Sequence, residues 1–570
     1  GIKLRSWFVL RKEKKMNKPD VFFEICNLKW ERIFLSLEVQ TNCKDNATFS
    51  LERIGKIIHE EQEGTESVRA EVLEKIPVSY EKKENGCYYF FLNISAMNDN
   101  AFLNNGKWRI VAHTADSDYV CVTSHKTGYL LDDYSRIFRY GKGKYAYNIS
   151  FSSLEDEKNF WFLMNSYFMI QNKHWKTRRY VQEAMTLKGK YKRLNMYTAI
   201  VLMRAFYVVW SHIFPKRGKN ILLMSETKDY LWGNLKSIDE RLHARGLDKQ
   251  FHISYSFRRA VGSHMSILSW AGLIFKIAKQ DYIFVDDYVP VFGFLELCKK
   301  TKLIQVWHAG VGFKSVGYSR FGKSGTPFPA GSCHKQYDYV LVGAPKLVEV
   351  YAEVFGLPEN RFLPVGMPRL DGFLDENKIQ NFKNEFYKEY PNLQSKKIIL
   401  FAPTYRGDGQ KTANYNYDWL DLKEIYDFCG EEYVFLVKMH PFVDDPIQIP
   451  QEYQNRIMDF ASYPNINDLY YVTEILITDY SSNYFEYSLM ERPILFYTPD
   501  REVYELSRGV HRSVKECAPG KVCDTFEEMM RALRNKDYEI EKVHQFVKDN
   551  YDEYDGHAAD KAIDAILLNK

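Results

Sequence analysis

The sequence predicts an α/β protein in which a β-rich N-terminal domain precedes two doubly wound domains. After residue 220, short and almost wholly apolar segments alternate with helix-like stretches, which is typical of parallel strands buried on both faces. Before residue 150, apolar and polar residues alternate and turn residues separate the segments. A length of 570 residues is that of about three domains.

Composition excludes two classes of protein. Apolar residues make up 45% of the chain, which is too many for global disorder. The net charge is only +4, so the molecule as a whole is not a polycation, and an anionic partner must be bound by a local patch. The nine cysteines form neither a CxxC pair nor a zinc-like spacing, and we interpret them as reduced thiols of a cytosolic protein.

Residues 1–152 are predicted to form a small antiparallel β-sandwich. Between residues 33 and 40 the odd positions are apolar and the even positions become polar, which is the period of a half-buried strand. Similar strands are expected at 87–94, 108–112 and 119–122.

Residues 153–218 are predicted to be a helical segment that binds the membrane surface. Its first part is basic and interleaved with aromatic residues, and residues 199–214 are apolar but too few to span a bilayer. A pair of helices lying on anionic lipid fits this pattern. The alternative is a linking helix packed on the sheet domains. The basic and interleaved aromatic residues are Lys173, Trp175, Lys176, Arg178, Arg179, Tyr180, Lys188, Lys190, Tyr191, Lys192 and Arg193.

Two α/β domains are predicted at residues 219–372 and 373–570. Their strands are expected at 221–224, 253–256, 282–285, 303–307 and 339–342, and then at 398–401, 434–438, 475–478 and 494–497. Because ligands of such sheets bind outside the carboxyl ends of the strands, we looked for chemistry at those positions.

Two histidines follow strands of different domains. His308 precedes a glycine-containing basic loop with Lys314 and Arg320, which suits phosphate, and a strand-end histidine can act as a general base. His440 follows the strand at 434–438. A single such histidine is more often a hydrogen-bonded core residue, but two on facing domains form a more specific pattern.

Two further clusters end strands of the last domain. Thr404 and Arg406 lie in the segment APTYRGD, where the guanidinium could bind phosphate. Ser481 and Ser482 follow the strand at 475–478 and are good caps for a helix whose N–H groups could bind a diphosphate. Simple capping and a surface salt bridge are the alternatives.

Taken together, these motifs resemble the CDP-glycerol glycerophosphotransferase family, which contains teichoic acid primases and polymerases. The resemblance rests on WHA…FKSVGYSR, APTYRGD, KMHPF and TDYSSNYFEYSLMERPILFY and covers about residues 220–565. It implies a GT-B-like pair of domains, with His308 and His440 as functional histidines and Thr478, Asp479, Ser481 and Ser482 as the donor-binding segment. The motif after His308 looks more like that of ribitol-phosphate polymerases and single-glycerol primases, so the polyol stays open.

The resemblance also implies the reaction and its partners. A CDP-glycerol or CDP-ribitol donor would give its polyol phosphate to the terminal hydroxyl of an undecaprenyl-diphosphate-linked teichoic acid chain, and CMP would leave. His308 would take the proton, while His440, Arg406 and the helix start would hold the diphosphate. The enzyme would lie peripherally on the cytoplasmic face of the membrane. No cofactor is expected, and metal dependence, chain length and a homo-oligomer are left open.

Two other functions are alternatives to polyol-phosphate transfer. A glycosyltransferase or epimerase acting on UDP-sugars would share the architecture. A nucleic-acid binder using the basic stretch would leave the paired histidines without a role, and the modest net charge argues against it.

Overall fold

The computed structural model divides the chain into two compact units. One contains the N-terminal region together with the helix Arg501–Arg508, and the other contains the described residues 187–499 and those from 514 onward. The structure describes residues 21–62, 65–131, 133–140, 145–156, 159–171, 178–180, 187–259, 265–307, 333–407, 412–508, 513–551 and 553–569.

Thirteen strands of the described N-terminal region join into one hydrogen-bonded sheet. Every strand pair is antiparallel except β1 with β9. The strands predicted at 33–40, 87–94 and 108–112 are confirmed as β2, β6 and β7, and the one predicted at 119–122 is divided between β8 and β9. The strands are β1 (Phe23–Glu31), β2 (Phe34–Thr41), β3 (Thr48–Gln62), β4 (Thr65–Val78), β5 (Glu81–Lys82), β6 (Tyr88–Asn93), β7 (Gly106–His113), β8 (Asp118–Val120), β9 (Val122–Thr123), β10 (Arg136–Tyr140), β11 (Tyr145–Asp156), β12 (Asn159–Gln171) and β13 (Arg178–Tyr180).

The predicted helical character of residues 153–218 is wrong for its first part. Strands β12 and β13 occupy residues 159–171 and 178–180, and β12 pairs with β11 along its whole length. The run from Phe160 to Met164 is aromatic and apolar, and all five residues are buried. Such a run packs well as a core strand, so tertiary burial outweighs the basic residues that follow it.

One helix, Leu187–Ile213, takes the place of the predicted helix pair within the described residues. Its inner side packs on the first α/β sheet, where the buried Tyr207 belongs to the same apolar cluster as Leu222 and Ile274. The Tyr207 hydroxyl accepts the Cys298 backbone N–H at 2.9 Å. Trp210 makes an edge-on contact with Phe275 of the helix Ile267–Ala278. The helix is therefore a packed element of the second unit as well as a connection.

The first α/β sheet is wholly parallel and six-stranded, in the order β15-β14-β16-β17-β18-β19. Alternate residues of β14 face two different apolar clusters: Leu222 and Met224 face one, and Ile221 and Leu223 face the other. The sheet is therefore covered on both faces, as its apolar strands predict. Its strands are β14 (Asn220–Ser225), β15 (His252–Phe257), β16 (Tyr282–Val285), β17 (Lys302–Gln305), β18 (Tyr339–Leu341) and β19 (Phe362–Leu363).

The second α/β sheet is also parallel and six-stranded, in the order β22-β21-β20-β23-β24-β25. Numbered within the domain, this order is 3-2-1-4-5-6, so the chain reverses its direction of travel between β20 and β23. That reversal is the topological switch point. The strands are β20 (Lys397–Phe401), β21 (Tyr433–Val437), β22 (Ile457–Asp459), β23 (Thr473–Thr478), β24 (Ile494–Tyr497) and β25 (Lys521–Cys523).

The C-terminal end of the chain returns to the first sheet. Ala562 and Ile563, followed by Ile566 and Leu567, join the apolar cluster on one face of that sheet. The remaining described α-helices are His125–Gly128, Gly233–Ala244, Val348–Phe355, Glu376–Glu389, Leu422–Cys429, Ile466–Leu469, Asn483–Ser488, Val514–Cys517, Phe526–Asn535, Ile540–Tyr551 and Ala558–Ile563, the last continuing into a π-helical turn at Asp564–Leu568.

Candidate functional site

The predicted donor-side residues gather at the carboxyl edge of the second sheet, beside its switch point. Thr404 and Arg406 follow β20, whereas Thr478 ends β23 and Asp479 follows it, and these two strands are neighbours. Open parallel sheets bind ligands at this position because the loops on either side of the reversal leave a crevice between them. We call this group of strand-end residues the switch-point edge.

Asp479 is the organising residue of the switch-point edge. Its carboxylate is fully buried. One oxygen accepts the backbone N–H groups of Thr404 at 2.7 Å and Tyr480 at 2.6 Å, and the other accepts from Arg406 Nη1 at 2.9 Å. One carboxylate therefore ties the loop after β20 to the loop after β23. Charge-assisted bonds of this kind are among the stronger ones in proteins.

The Arg406 side chain is held inside the edge. Its side chain is 12% exposed, and the guanidinium lies 5.5, 5.4 and 5.2 Å from the ring centroids of Tyr415, Trp419 and Tyr480. The Arg406 backbone exchanges two hydrogen bonds with Asn414, at 2.7 and 2.9 Å. The structure thus brings Arg406 to the predicted place but pairs it with Asp479.

Gly407 allows the tight turn that follows Arg406. Its φ is +99°, a conformation that residues with a Cβ rarely adopt. An added Cβ would also lie 2.1 Å from the backbone oxygen of Thr412. Glycine at this position is therefore a requirement of the loop that carries Arg406.

The hydroxyl groups of the edge have different surroundings. Thr478 is buried and donates to the Ala402 carbonyl at 2.9 Å. The Thr404 hydroxyl is also buried, but within the described residues it makes no hydrogen bond. Ser481 Oγ accepts the Asn483 N–H at 3.3 Å, whereas Ser482 occupies the cap position without a side-chain capping bond. The helix Asn483–Ser488 has only six residues, so its dipole contributes little beyond its first N–H groups.

His440 lies at the end of β21, the strand next to β20. The Phe442 backbone N–H donates to His440 Nδ1 at 3.1 Å. A nitrogen that accepts this bond carries no proton, so the neutral ring carries its proton on Nε2. Tyr405 and Phe442 pack on the imidazole at centroid distances of 4.8 and 4.6 Å. The ring is therefore oriented to donate from Nε2, as stabilisation of a phosphate oxygen requires.

A buried lysine supports the same strand end. Lys438 Nζ donates to the Ala461 carbonyl at 2.7 Å, and burial lowers the pKa of this ammonium group. The contact joins the end of β21 to the loop after β22. Sequence reasoning passed over Lys438 because nothing in the motif KMHPF marks its side chain as buried.

The end of β17 carries an unusual backbone. Trp307 has φ +54° and is almost fully buried. This region costs a bulky residue about 1–3 kcal/mol, and surrounding contacts must maintain it. Gln305 Oε1 accepts the Trp307 N–H at 2.8 Å, and Asn234 Nδ2 donates to the Trp307 carbonyl at 2.7 Å. His308 is the next residue along the chain.

Three predicted site residues, His308, Lys314 and Arg320, lie outside the described residues. Their predicted convergence with His440 therefore stays a prediction. His334, which sequence reasoning did not single out, lies in the core of the first α/β domain. Burial lowers its pKa to about 3, and its Nδ1 lies 3.1 Å from the Tyr337 hydroxyl.

In the part of the chain that the structure describes, no group of three or more His, Cys, Asp or Glu side chains converges as a metal site would require. Nor does any helix among those residues combine the length and apolar character needed to cross a bilayer.

Comparisons with known proteins agree with this architecture. Residues 205–568 match the family described as CDP-Glycerol:Poly(glycerophosphate) glycerophosphotransferase. The teichoic acid poly(ribitol-phosphate) polymerase of Bacillus spizizenii is 35% identical over 62% of this chain and 57% of its own length. The teichoic acid ribitol-phosphate polymerase TarL of Staphylococcus aureus is 34% identical over 66% of this chain and 68% of its own.

The fold has a counterpart among solved structures. The wall teichoic acid polymerase TagF is 21% identical, with a TM-score of 0.54 over 68% of this chain and 98% of that chain. At this identity the likeness concerns the fold. The chain thus spans somewhat more than half the length of one of these relatives and about two thirds of another.

Proposed function

The chain belongs to the CDP-glycerol:poly(glycerophosphate) glycerophosphotransferase family, and from this premise we propose that it transfers a polyol phosphate from a CDP-polyol to the terminal hydroxyl of a lipid-linked teichoic acid chain. CMP is the leaving group. The observation that carries the proposal is the switch-point edge, where one buried carboxylate, Asp479, joins two strand-end loops beside an oriented His440.

The donor diphosphate binds at the switch-point edge. Thr404 supplies a buried hydroxyl that has no bond within the described residues, and buried polar groups are almost always paired when the site is filled. Ser481 and Ser482 supply further hydroxyl and N–H groups at the same edge. Asp479 and Arg406 form a buried ion pair that keeps the loops in place.

His440 stabilises the leaving phosphate. Its Nδ1 is occupied by a backbone N–H, so its chemistry is donation from Nε2 to an oxygen on which charge develops. Phosphoryl transfer depends mainly on positioning and on such charge stabilisation. This assignment agrees with the phosphate-side role expected of His440.

His308 takes the proton from the acceptor hydroxyl. Its support is its place in the chain, directly after the constrained Trp307 at the carboxyl edge of the first sheet. The hydroxyl oxygen attacks the distal phosphorus in line, and the bond from that phosphorus to the CMP oxygen breaks. Lys314 and Arg320 bind phosphates of the acceptor chain.

Ribitol phosphate is the polyol that the comparisons favour. Three ribitol-phosphate polymerases are 34–35% identical to this chain, whereas the poly(glycerol phosphate) polymerases are 29–32% identical over 38–41% of it. The residues after His308 resemble the ribitol type as well. We therefore propose CDP-ribitol as the donor, with CDP-glycerol as the direct competitor.

The two α/β domains form a GT-B-like pair in this proposal. Residues 219–372 form the acceptor side and residues 373–570 the donor side, and the chain end returns to the acceptor side through Ala562 and Ile563. The strands from β1 to β12 form a β-sandwich in this proposal, which extends beyond the predicted boundary at residue 152. Its support is one shared apolar cluster to which strands from both ends of the sheet contribute, including Phe49 of β3 and Phe90 of β6.

The helix Leu187–Ile213 places the enzyme on the cytoplasmic face of the membrane. The apolar residues on its outer side are between 39% and 64% exposed, and Ile267 and Leu268 at the start of the helix Ile267–Ala278 are 87% and 84% exposed. Apolar side chains and a basic N-terminal part suit the surface of an anionic bilayer, where the lipid-linked acceptor lies. The outer residues are Leu194, Val201, Leu202, Val208, Val209 and Ile213.

The proposal is tested by supplying a lipid-linked primer with CDP-ribitol, CDP-glycerol or a UDP-sugar and sizing the products. We expect CMP release and chain growth with CDP-ribitol and none with the UDP-sugar. His308→Ala is expected to lose about 10²–10⁴-fold in turnover, while His544→Ala, at an exposed position, keeps it. Transfer from the UDP-sugar alone would refute the proposed reaction, and a near-normal rate in His308→Ala would remove the base role.

A further inference from the structure

A single buried amide, Asn234, connects the end of β17 to the segment that leads into the second sheet. Its Nδ2 donates to the carbonyls of Val306 at 2.9 Å and Trp307 at 2.7 Å. Its Oδ1 accepts the Arg369 backbone N–H at 2.9 Å. All the polar atoms of the amide are thus occupied, and the side chain is 2% exposed. The amide fixes the backbone at Trp307, one residue before His308.

The side chain of the same Arg369 extends the connection in the other direction. Its guanidinium forms an ion pair with Glu486, which lies in the helix Asn483–Ser488 directly after Ser481 and Ser482. Both side chains are largely buried, at 13% and 14% exposed. Burial would lower the pKa of Arg369, but pairing with Glu486 outweighs it, so its pKa is raised.

Stability alone is a weak reason for this arrangement. Buried ion pairs often contribute no more than apolar side chains of the same volume, because both charges lose their hydration. The Arg369–Glu486 pair does, however, fix geometry. It joins two elements whose relative position matters for the proposed reaction. One is the strand end before the acceptor-side base, and the other is the helix start beside the donor phosphates.

We propose that Asn234, Arg369 and Glu486 are positioning residues. They fix the position of the strand end preceding His308 relative to the phosphate-binding end of the helix Asn483–Ser488. This inference rests on the proposed function. In-line transfer requires the attacking oxygen, the phosphorus and the leaving oxygen to be aligned, and a displacement of about 1 Å costs about 10²-fold in rate. Loss of the contacts made by Asn234, Arg369 and Glu486 therefore lowers kcat more than it changes binding of the CDP-polyol.

The test separates geometry from stability. Arg369→Met and Glu486→Met each leave one buried charge unpaired, so each single variant is expected to unfold at lower urea concentration. The double variant removes both charges and is expected to regain most of that stability. If the pair positions the reactants, kcat of the double variant stays about 10²-fold below that of the unaltered enzyme, with KM for the CDP-polyol changed less than about threefold.

Two further variants complete the design. Asn234→Asp keeps the size of the side chain and its acceptor for Arg369 but removes the donors to Val306 and Trp307, so a similar loss of kcat is expected. Arg241→Met is the matched control. Arg241 belongs to the same helix as Asn234 and pairs with Asp560 at a more exposed position, and its loss should leave kcat unchanged.

The outcomes are distinct. A double variant that regains kcat together with stability would overturn the positioning role, as would an Asn234→Asp variant with unchanged kcat. If the double variant does not fold, Asn234→Asp decides alone. Absence of transfer by the unaltered enzyme with either CDP-polyol would instead refute the proposed function, and this inference with it.

Discussion

Acid is expected to destabilise the first α/β sheet through the buried His334. The imidazole is 6% exposed, and its ring packs on Phe355 at a centroid distance of 4.5 Å and on Tyr288 at 5.4 Å. Burial lowers its pKa from 6.5 to about 3. Between these two values the unfolded chain binds a proton that the folded chain does not, so the free energy of unfolding falls as pH falls below 6.5.

The magnitude follows from the same two values. One pKa unit corresponds to about 1.36 kcal/mol, so at pH 5 this histidine alone removes about 2 kcal/mol of the stability present at pH 7.5. His334→Gln has no such proton to bind. The difference in unfolding free energy between the unaltered protein and this variant should therefore shift by about 2 kcal/mol between the two pH values.

Urea unfolding can be followed by hydrogen exchange of peptides from β16 to β18. This measures the unfolding of the first α/β sheet separately from that of the other sheets. His544→Gln, which changes an exposed histidine, serves as the control and should show no such shift. If the His334→Gln difference is the same at pH 5 and pH 7.5, then His334 is not held neutral by burial.

Three further predictions concern the switch-point edge and the helix Leu187–Ile213. Asp479→Asn leaves Arg406 without its buried counter-charge and should cost the second sheet about 3–5 kcal/mol of unfolding free energy; an unchanged urea midpoint would contradict the organising role of this carboxylate. His440→Ala should lower kcat about 10²–10³-fold, as loss of one preorganised donor does; an unchanged kcat would show that His440 does not stabilise charge during transfer. Leu202→Glu combined with Val209→Glu should reduce sedimentation with anionic vesicles at least about tenfold, because charges then replace apolar contact; equal sedimentation of both proteins would place the lipid contact elsewhere.

Much of the α/β framework could be predicted from the sequence. The strands expected at 282–285 and 494–497 coincide with β16 and β24. Each is a short apolar run bounded by polar or turn residues, and such a run has few alternatives once the parallel sheet forms. Alternation of apolar and polar residues located β2 and β6 equally well.

The contacts that organise the site could not be predicted in this way. Arg406 pairs with Asp479, 73 residues later, and Asn234 with Arg369, 135 residues later. Such pairs depend on which strands become neighbours, and the order of strands in a sheet cannot be predicted from the local sequence. The sequence therefore indicated that Arg406 was chemically suited to phosphate but not that a buried carboxylate already holds it.

The return of the chain end to the first sheet has a consequence for synthesis. Ala562, Ile563, Ile566 and Leu567 complete one apolar face of a sheet whose last strand ends at Leu363. The ribosome reaches them about 200 residues later, or about 10–40 s at ordinary elongation rates. Until then the part of this face that they cover is exposed to water and to other nascent chains, because the helix Gly233–Ala244 covers only the rest. A truncation that removes these four side chains would thus disturb the first α/β domain, far away in sequence, before it disturbs the second.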